Sequence, residues 1–225
     1  MSEKVKFPSN GHTCEGFLAS PPSGKGPAVV VIQEWWGLVP HIESVVKRFA
    51  ASGFLALAPD LYHGKTTKSP DDAAKLLMEL DAERAVGEII GAGEYLLGRP
   101  ECSSSNFGVV GFCMGGALAQ AAATRSAKVG AAVSFYGGFK KVELAWENLQ
   151  SPILFIYGEN DSGVPASKGI ELEKKLRAMG KMADAVVYPS ADHAFFNDTR
   201  PEVFNPEAAE DAWNRTVGLF REHLR

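Results

Sequence analysis

The chain is short of cysteine, has no basic block, no long apolar run and no internal repeat, and each shortage removes a class of protein. Its 225 residues include three cysteines, Cys14, Cys102 and Cys113, an odd count with no CxxC spacing. That usage argues against a disulfide framework or a zinc site and fits a reducing compartment. No apolar run approaches the ~20 residues that span a bilayer, and the N-terminal MSEKVKFPSNGHTCEG lacks the apolar core of a secretory signal. A cytoplasmic location is therefore expected. Lys and Arg total 23 against 27 Asp and Glu, a formal net charge of −4, and the cations are scattered. Neither nucleic acid nor an anionic membrane surface is expected as a partner. PPSGKGP (21–27) reads as a turn, and SSS (103–105) is too short to be a linker. The remainder, 45% hydrophobic and 22% charged, is ordinary for a globular chain that can bury one full core, so a single domain over 1–225 is expected.

Short apolar runs alternate with longer helical patterns. Strand-like runs fall at 14–20, 28–33, 54–59, 107–112, 130–137, 152–158 and 185–189. Several are continuous in Val, Ile, Leu and Phe, as suits strands buried on both faces of a parallel sheet. Helical patterns fall near 41–52, 71–97, 114–126, 165–179 and 206–224, with Gly53, Gly98 and Gly180 as stops. The alternation predicts an α/β architecture, a mostly parallel doubly wound sheet of about seven to eight strands with helices on both faces. Two strands precede the first helix, so an antiparallel hairpin is expected at one edge.

In such sheets ligands collect at the carboxyl ends of the strands, and the residues met there are chemical ones. Gly111-Phe112-Cys113-Met114-Gly115 has the G-x-C-x-G spacing of a nucleophile elbow, a strained strand-to-helix turn that needs small residues two before and two after its centre. A lone apolar-context cysteine is ordinarily an inert buried thiol; strand, glycines and following helix together favour a nucleophile. The helix N-terminus favours a thiolate, and the Met114 N–H would face an oxyanion held against the sulfur.

A thiolate nucleophile needs a base, and the base needs an orienting group. His193 lies after the last predicted strand and Asp161 after the one before it. The order Cys113, Asp161, His193 is the nucleophile–acid–histidine order of α/β-hydrolases. Taken singly, His193 reads as a loop histidine and Asp161 as an Asx-turn residue beside Gly163. Asp192 and Glu159 compete for the acid role.

QEWWG, APDLY, GFCMGG, GENDSGVP and DHAFFND, in that order over about 220 residues, resemble the dienelactone hydrolase family of α/β-hydrolases. The resemblance implies the α/β-hydrolase fold and a Cys113–His193–Asp161 triad. It also implies a Glu34 that holds the resting thiol in a hydrogen bond, and an oxyanion donor in the Trp35 N–H. Independently of the family, a carboxylate facing a thiol disfavours the thiolate and protects the sulfur from oxidation. Trp35, Trp36, Tyr62, His63, Phe195 and Phe196 are expected to form an aromatic pocket.

The departures from the family pattern bear on substrate. Two arginines that grip the dienelactone carboxylate are replaced at the matching positions by Gly64 and Asn197, neither of which offers a forked cationic contact. Lys65, Lys68 and Arg200 are the candidate substitutes. The expected activity is hydrolysis of a lactone or small carboxylic ester through an acyl-thioester, with a broad-specificity carboxylesterase or thioesterase as the alternative. A non-catalytic ligand binder and a thiol redox sensor are the rivals from other classes. A metallohydrolase on His41, Glu43, Asp60 and His63 is a further rival. Neither cofactor nor metal is expected, and a monomer is expected ahead of a dimer.

Overall fold

Valine, isoleucine and alanine at alternate positions sort onto the two faces of one sheet. The computed structural model describes residues 1–138 and 141–225. Among these residues eight strands form a single sheet: β1 (Ser2–Ser9), β2 (His12–Ala19), β3 (Gly26–Ile32), β4 (Leu55–Pro59), β5 (Cys102–Phe112), β6 (Val129–Phe135), β7 (Ile153–Gly158) and β8 (Ala183–Tyr188). Their order is β1-β2-β4-β3-β5-β6-β7-β8. From β4 to β8 every neighbouring pair is parallel, while β1–β2 and β2–β4 are antiparallel. This is the mostly parallel, doubly wound sheet expected from the run pattern, with the α/β-hydrolase architecture that the resemblance implies.

Among the described residues six α-helices cover the sheet: α1 (Pro40–Ala51), α2 (Pro70–Glu79), α3 (Ala82–Leu97), α4 (Met114–Arg125), α5 (Ala166–Ala178) and α6 (Pro206–His223). Val29 and Val31 of β3 point to the layer of α1 and α6, where Phe49 and Phe220 pack. Ala28, Val30 and Ile32 point the other way, to Val86, Ile89, Leu118 and Leu176 of α3, α4 and α5. Both faces of β3 are thus buried, which is why its sequence does not alternate in polarity.

Two details differ from the sequence expectation. The edge hairpin exists, but it joins β1 to β2, in a register from Ser2↔Ala19 to Ser9↔His12, rather than the runs at 14–20 and 28–33. Asn10 and Gly11 close it with φ of 52° and 76°, the left-handed pair that an Asn-Gly hairpin turn adopts. The helical stretch 71–97 is two helices, because Asp81 accepts from the Arg84 N–H at 3.1 Å and caps a fresh start.

Candidate active site

The elbow forms at the end of β5. Cys113 sits at φ 55°, ψ −118°, backbone that an L-residue adopts only under constraint. The constraint is close packing of backbone on backbone. A Cβ at Gly111 would run into the Gly115 carbonyl. One at Gly115 would meet Gln33 O at 2.5 Å, and one at Gly116 would meet Phe135 O at 2.7 Å. Glycine at these positions lets α4 start against the ends of β3 and β6. The Met114 N–H belongs to the first turn of α4, where amides have no partner within the helix.

The loops after β7 and β8 bring in the other two residues. His193 Nδ1 lies 2.6 Å from Asp161 Oδ2, an acceptor-only oxygen, so the ring donates and its other nitrogen is left for the Cys113 side. Asp161 Oδ1 accepts the Gly163 and Val164 N–H groups at 2.9 and 2.8 Å. The Asx-turn and the histidine contact therefore coexist on one carboxylate, an oxygen for each. The Asp161 side chain is 0% exposed and that of His193 is 34% exposed. Burial pushes the His193 imidazole down, but its bonds to Asp161 and the Cys113 thiol, with their charges, outweigh this and lift it from 6.5 to about 10. The competing acids are engaged elsewhere: Glu159 accepts the Ser190 N–H at 3.1 Å, and Asp192 is exposed.

Glu34 follows β3 and is buried, with Oε2 accepting Asn197 Nδ2 at 2.9 Å. Burial raises its carboxyl above the usual range, and His41, the Asn197 bond, His193 and Arg200 pull it partly back. Its hydrogen-bond partner is thus Asn197, and no Glu34–Cys113 hydrogen bond occurs among the described residues. Trp35 and Trp36 form an edge-on pair with centroids 5.0 Å apart, and Tyr62 Oη lies 3.5 Å from Met114 Sδ. Tyr62 thereby reaches the residue that follows Cys113 in the elbow. Tyr62 and His63 also line a cavity of about 170 Å³ with Lys65, Arg84 and Glu88, whose lining does not include Cys113.

Phe195 and Phe196 correct the pocket expectation. Both are fully buried in the layer of α1 and α6, stacked on Phe135, Phe112 and Tyr188. They are core residues behind the His193 loop. Asn197 is likewise buried and donates its Nδ2 to Glu34. Gly64, at φ 90°, sits in a turn whose N–H donates to Asp60 Oδ2 at 2.6 Å. Of the substitute cations, Lys65 pairs with Glu79 at 3.7 Å and Lys68 is exposed. Arg200 pairs with Glu202 at 2.9 Å and lies near enough to Glu34 and Tyr136 to act on both.

The rival metallohydrolase reading on His41, Glu43, Asp60 and His63 has no gathered site: His41 pairs with Asp198 and His63 with Glu88. No group of three or more potential metal ligands occurs among the described residues. Cys102 opens β5 and Cys113 follows its end, so about 35 Å of strand separates them. Sequence reasoning passed over Tyr136, which ends the β6 run. Its φ is 38°, its ring lies 4.9 Å from that of His193, and its hydroxyl is buried with no partner. Burial, then the charges of Glu34 and Cys113, holds that hydroxyl well above the usual tyrosine range. The signal was its place at a strand's carboxyl end.

Comparison with known proteins places the chain in a family. The dienelactone hydrolase family matches residues 14–224. The chain is 40% identical to "Protein usf" of Aquifex pyrophilus over the full length of both. It is 35% identical, again over both full lengths, to an Aquifex aeolicus protein assigned by inference as a carboxymethylenebutenolidase. Among solved structures, one from Klebsiella pneumoniae, assigned by inference as a dienelactone hydrolase, superposes with a TM-score of 0.88 at 27% identity and 99% coverage of each chain.

Proposed function

We propose that this chain, which belongs to the dienelactone hydrolase family and is a hydrolase of ester bonds, cleaves lactones or small carboxylic esters with Cys113 as nucleophile. The observation that carries the reading is the 2.6 Å contact of His193 with buried Asp161, beside a cysteine on a positive-φ elbow. Each part has a separate structural cost, and together they serve nucleophilic catalysis.

The His193 imidazole, lifted to about 10, takes the thiol proton and faces the thiolate as imidazolium. The sulfur adds to the ester carbonyl, and the electron pair moves to oxygen, where the N–H groups of Met114 and Trp35 receive it. Collapse breaks the C–O bond; the leaving oxygen takes the proton from His193, and an acyl-thioester remains. His193 then accepts a proton from water as its oxygen attacks the thioester. The thiolate is expelled, and the acid product leaves. Asp161 keeps the ring oriented throughout and stabilises its charge.

A thiolate leaves a tetrahedral intermediate readily, so enol and aryl leaving groups suit the site better than alkoxides. Trp35, Trp36 and Tyr62 favour an apolar or cyclic acyl group. With Gly64 and Asn197 where the dienelactone grip would need arginine, selectivity for dienelactone itself is not expected. Glu34 is the further ionisable group of the site, placed to bear on the Cys113–His193 pair. The test is a panel of lactones and aryl esters on wild type, Cys113→Ser and His193→Ala, with intact-mass analysis during turnover. An acyl adduct on Cys113 is expected. Turnover surviving both substitutions would overturn the assignment.

A further inference from the structure

Tyr136, the residue after β6, is pinned between the elbow and His193. The Phe135 carbonyl before it accepts the Cys113 N–H at 3.0 Å, and its own N–H donates to Ile156 O of β7 at 2.6 Å. A Cβ at Gly116 would meet Gly137 Cα, the next residue along, at 2.8 Å. Its φ of 38° is one that a bulky residue adopts only where its surroundings enforce it. The result is a fully buried ring whose centroid lies 4.9 Å from that of His193, with the planes at 56°. Phe195, edge-on at 5.7 Å, packs on the tyrosine ring as well.

The ring is what Tyr136 brings to the site, because its hydroxyl is buried with no hydrogen-bond partner among the described residues. An aromatic face is electron-rich and attracts a cation within about 6 Å of its centroid, more strongly where both are shielded from water. On the proposed ester chemistry, His193 becomes such a cation when it takes the Cys113 proton. The charged and titratable groups around it are Asp161 after β7, Cys113 before α4 and Glu34 after β3. Arg200, further along the His193 segment, is paired with Glu202. Tyr136 differs from all of these. Burial holds its hydroxyl well above the usual tyrosine range, so it stays uncharged while the imidazole titrates and acts through the ring alone.

We propose that Tyr136 is a positioning residue for the reaction: its ring face holds the imidazolium form of His193 by a cation–π contact, and so favours the thiolate–imidazolium pair over the neutral one. In that step the proton passes from the Cys113 sulfur to His193 Nε2, and no other bond changes. The proposal rests on the reading of Cys113 and His193 as nucleophile and base.

The test follows the His193 ring by NMR of the 13C-histidine-labelled chain as pH rises, the resonance being the one that His193→Gln removes. In wild type it is expected to titrate well above the ordinary 6.5. Tyr136→Phe keeps the ring and is expected within about 0.2 pH unit of wild type, whereas Tyr136→Leu is expected about 0.5–1 pH unit lower. The downfield proton of the Nδ1–H bond to Asp161 is expected to persist in Tyr136→Leu, where a displaced loop would lose it. Fluorinated phenylalanines at position 136 keep the ring's shape while draining electrons from its face. They are expected to lower the value in step with fluorine count, and they serve where Tyr136→Leu fails to fold.

The failures are distinct. A wild-type imidazole that titrates at or below 6.5 overturns the reading of an imidazolium facing a thiolate, and the proposal with it. One that is lifted in wild type but unmoved by fluorination marks Tyr136 as a structural residue and overturns the proposal alone. A value that rises with fluorine puts the ring's edge, not its face, toward the imidazole and overturns it too. So does a fall in Tyr136→Phe as large as in Tyr136→Leu, which assigns the effect to the hydroxyl.

Discussion

Two histidine–carboxylate pairs flank the elbow, and they are built inside out relative to each other. In His193–Asp161 the acid is 0% exposed and the histidine 34%. In His41–Asp198 the histidine's side chain is 4% exposed and the acid's 51%. The contacts differ too, at 2.6 and 3.1 Å. A buried acid with its second oxygen satisfied by two backbone N–H groups is a fixed anchor, and it leaves an open imidazole free to exchange protons with substrate. A buried imidazole held by a solvated acid is the reverse: a fixed internal group whose tether is screened. Sequence motifs describe both as a histidine and an aspartate, and burial is what tells the two pairs apart.

The sharpest way to break the contrast is to remove each histidine. His193→Ala is expected to lower kcat/KM by at least about 10³-fold, the scale of a lost general base, measured on an aryl ester at neutral pH. Next, Asp161→Asn is expected to lower kcat by about 10²–10⁴-fold with KM little changed, because orientation of the ring is lost rather than binding. Asp198→Asn, the matching change in the other pair, is expected to stay within about threefold of wild type at neutral pH, as the acid there is half-exposed. Equal losses in Asp161→Asn and Asp198→Asn would erase the distinction.

Two smaller effects sharpen it. Asn197→Leu removes the donor to Glu34 and leaves a buried carboxyl oxygen unpaired, a cost of about 1–3 kcal/mol readable by denaturant unfolding. The pH dependence of stability also separates the pairs. The His193 imidazole is lifted from 6.5 to about 10, so its protonated form favours the native state. That contribution is complete below about 6.5 and is lost as pH rises toward about 10. The Tm advantage of wild type over His193→Gln is expected to shrink over that window.

Much of this was legible in the chain, for reasons that differ by residue. Cys113 could be read because the elbow imposes glycine at fixed offsets, and His193 and Asp161 because strand ends are marked by runs of Val, Ile and Phe. β1 was equally readable: Asn10-Gly11 is a hairpin signal, and Val5 and Phe7 alternate with exposed residues, yet the polar composition of an edge strand hid it. Phe195 and Phe196 could not be assigned, since the sequence beside a catalytic histidine does not say which way a loop turns its rings. The pairing of His41 with Asp198 spans 157 residues, and no local pattern announces a contact of that separation.

The elbow also makes the cysteine a reporter on assembly. Its backbone is held at φ 55° only because α4 rests against the carbonyls of Ile32, Gln33 and Phe135, which belong to strands distant in sequence. Until β3, β5 and β6 are joined, nothing compels that conformation at Cys113. On the proposed reading, the nucleophile is thus made by non-local contacts of the folded sheet rather than carried by the residue. A reagent selective for the activated thiol would count native molecules, and a chain with an incompletely joined sheet would be silent to it.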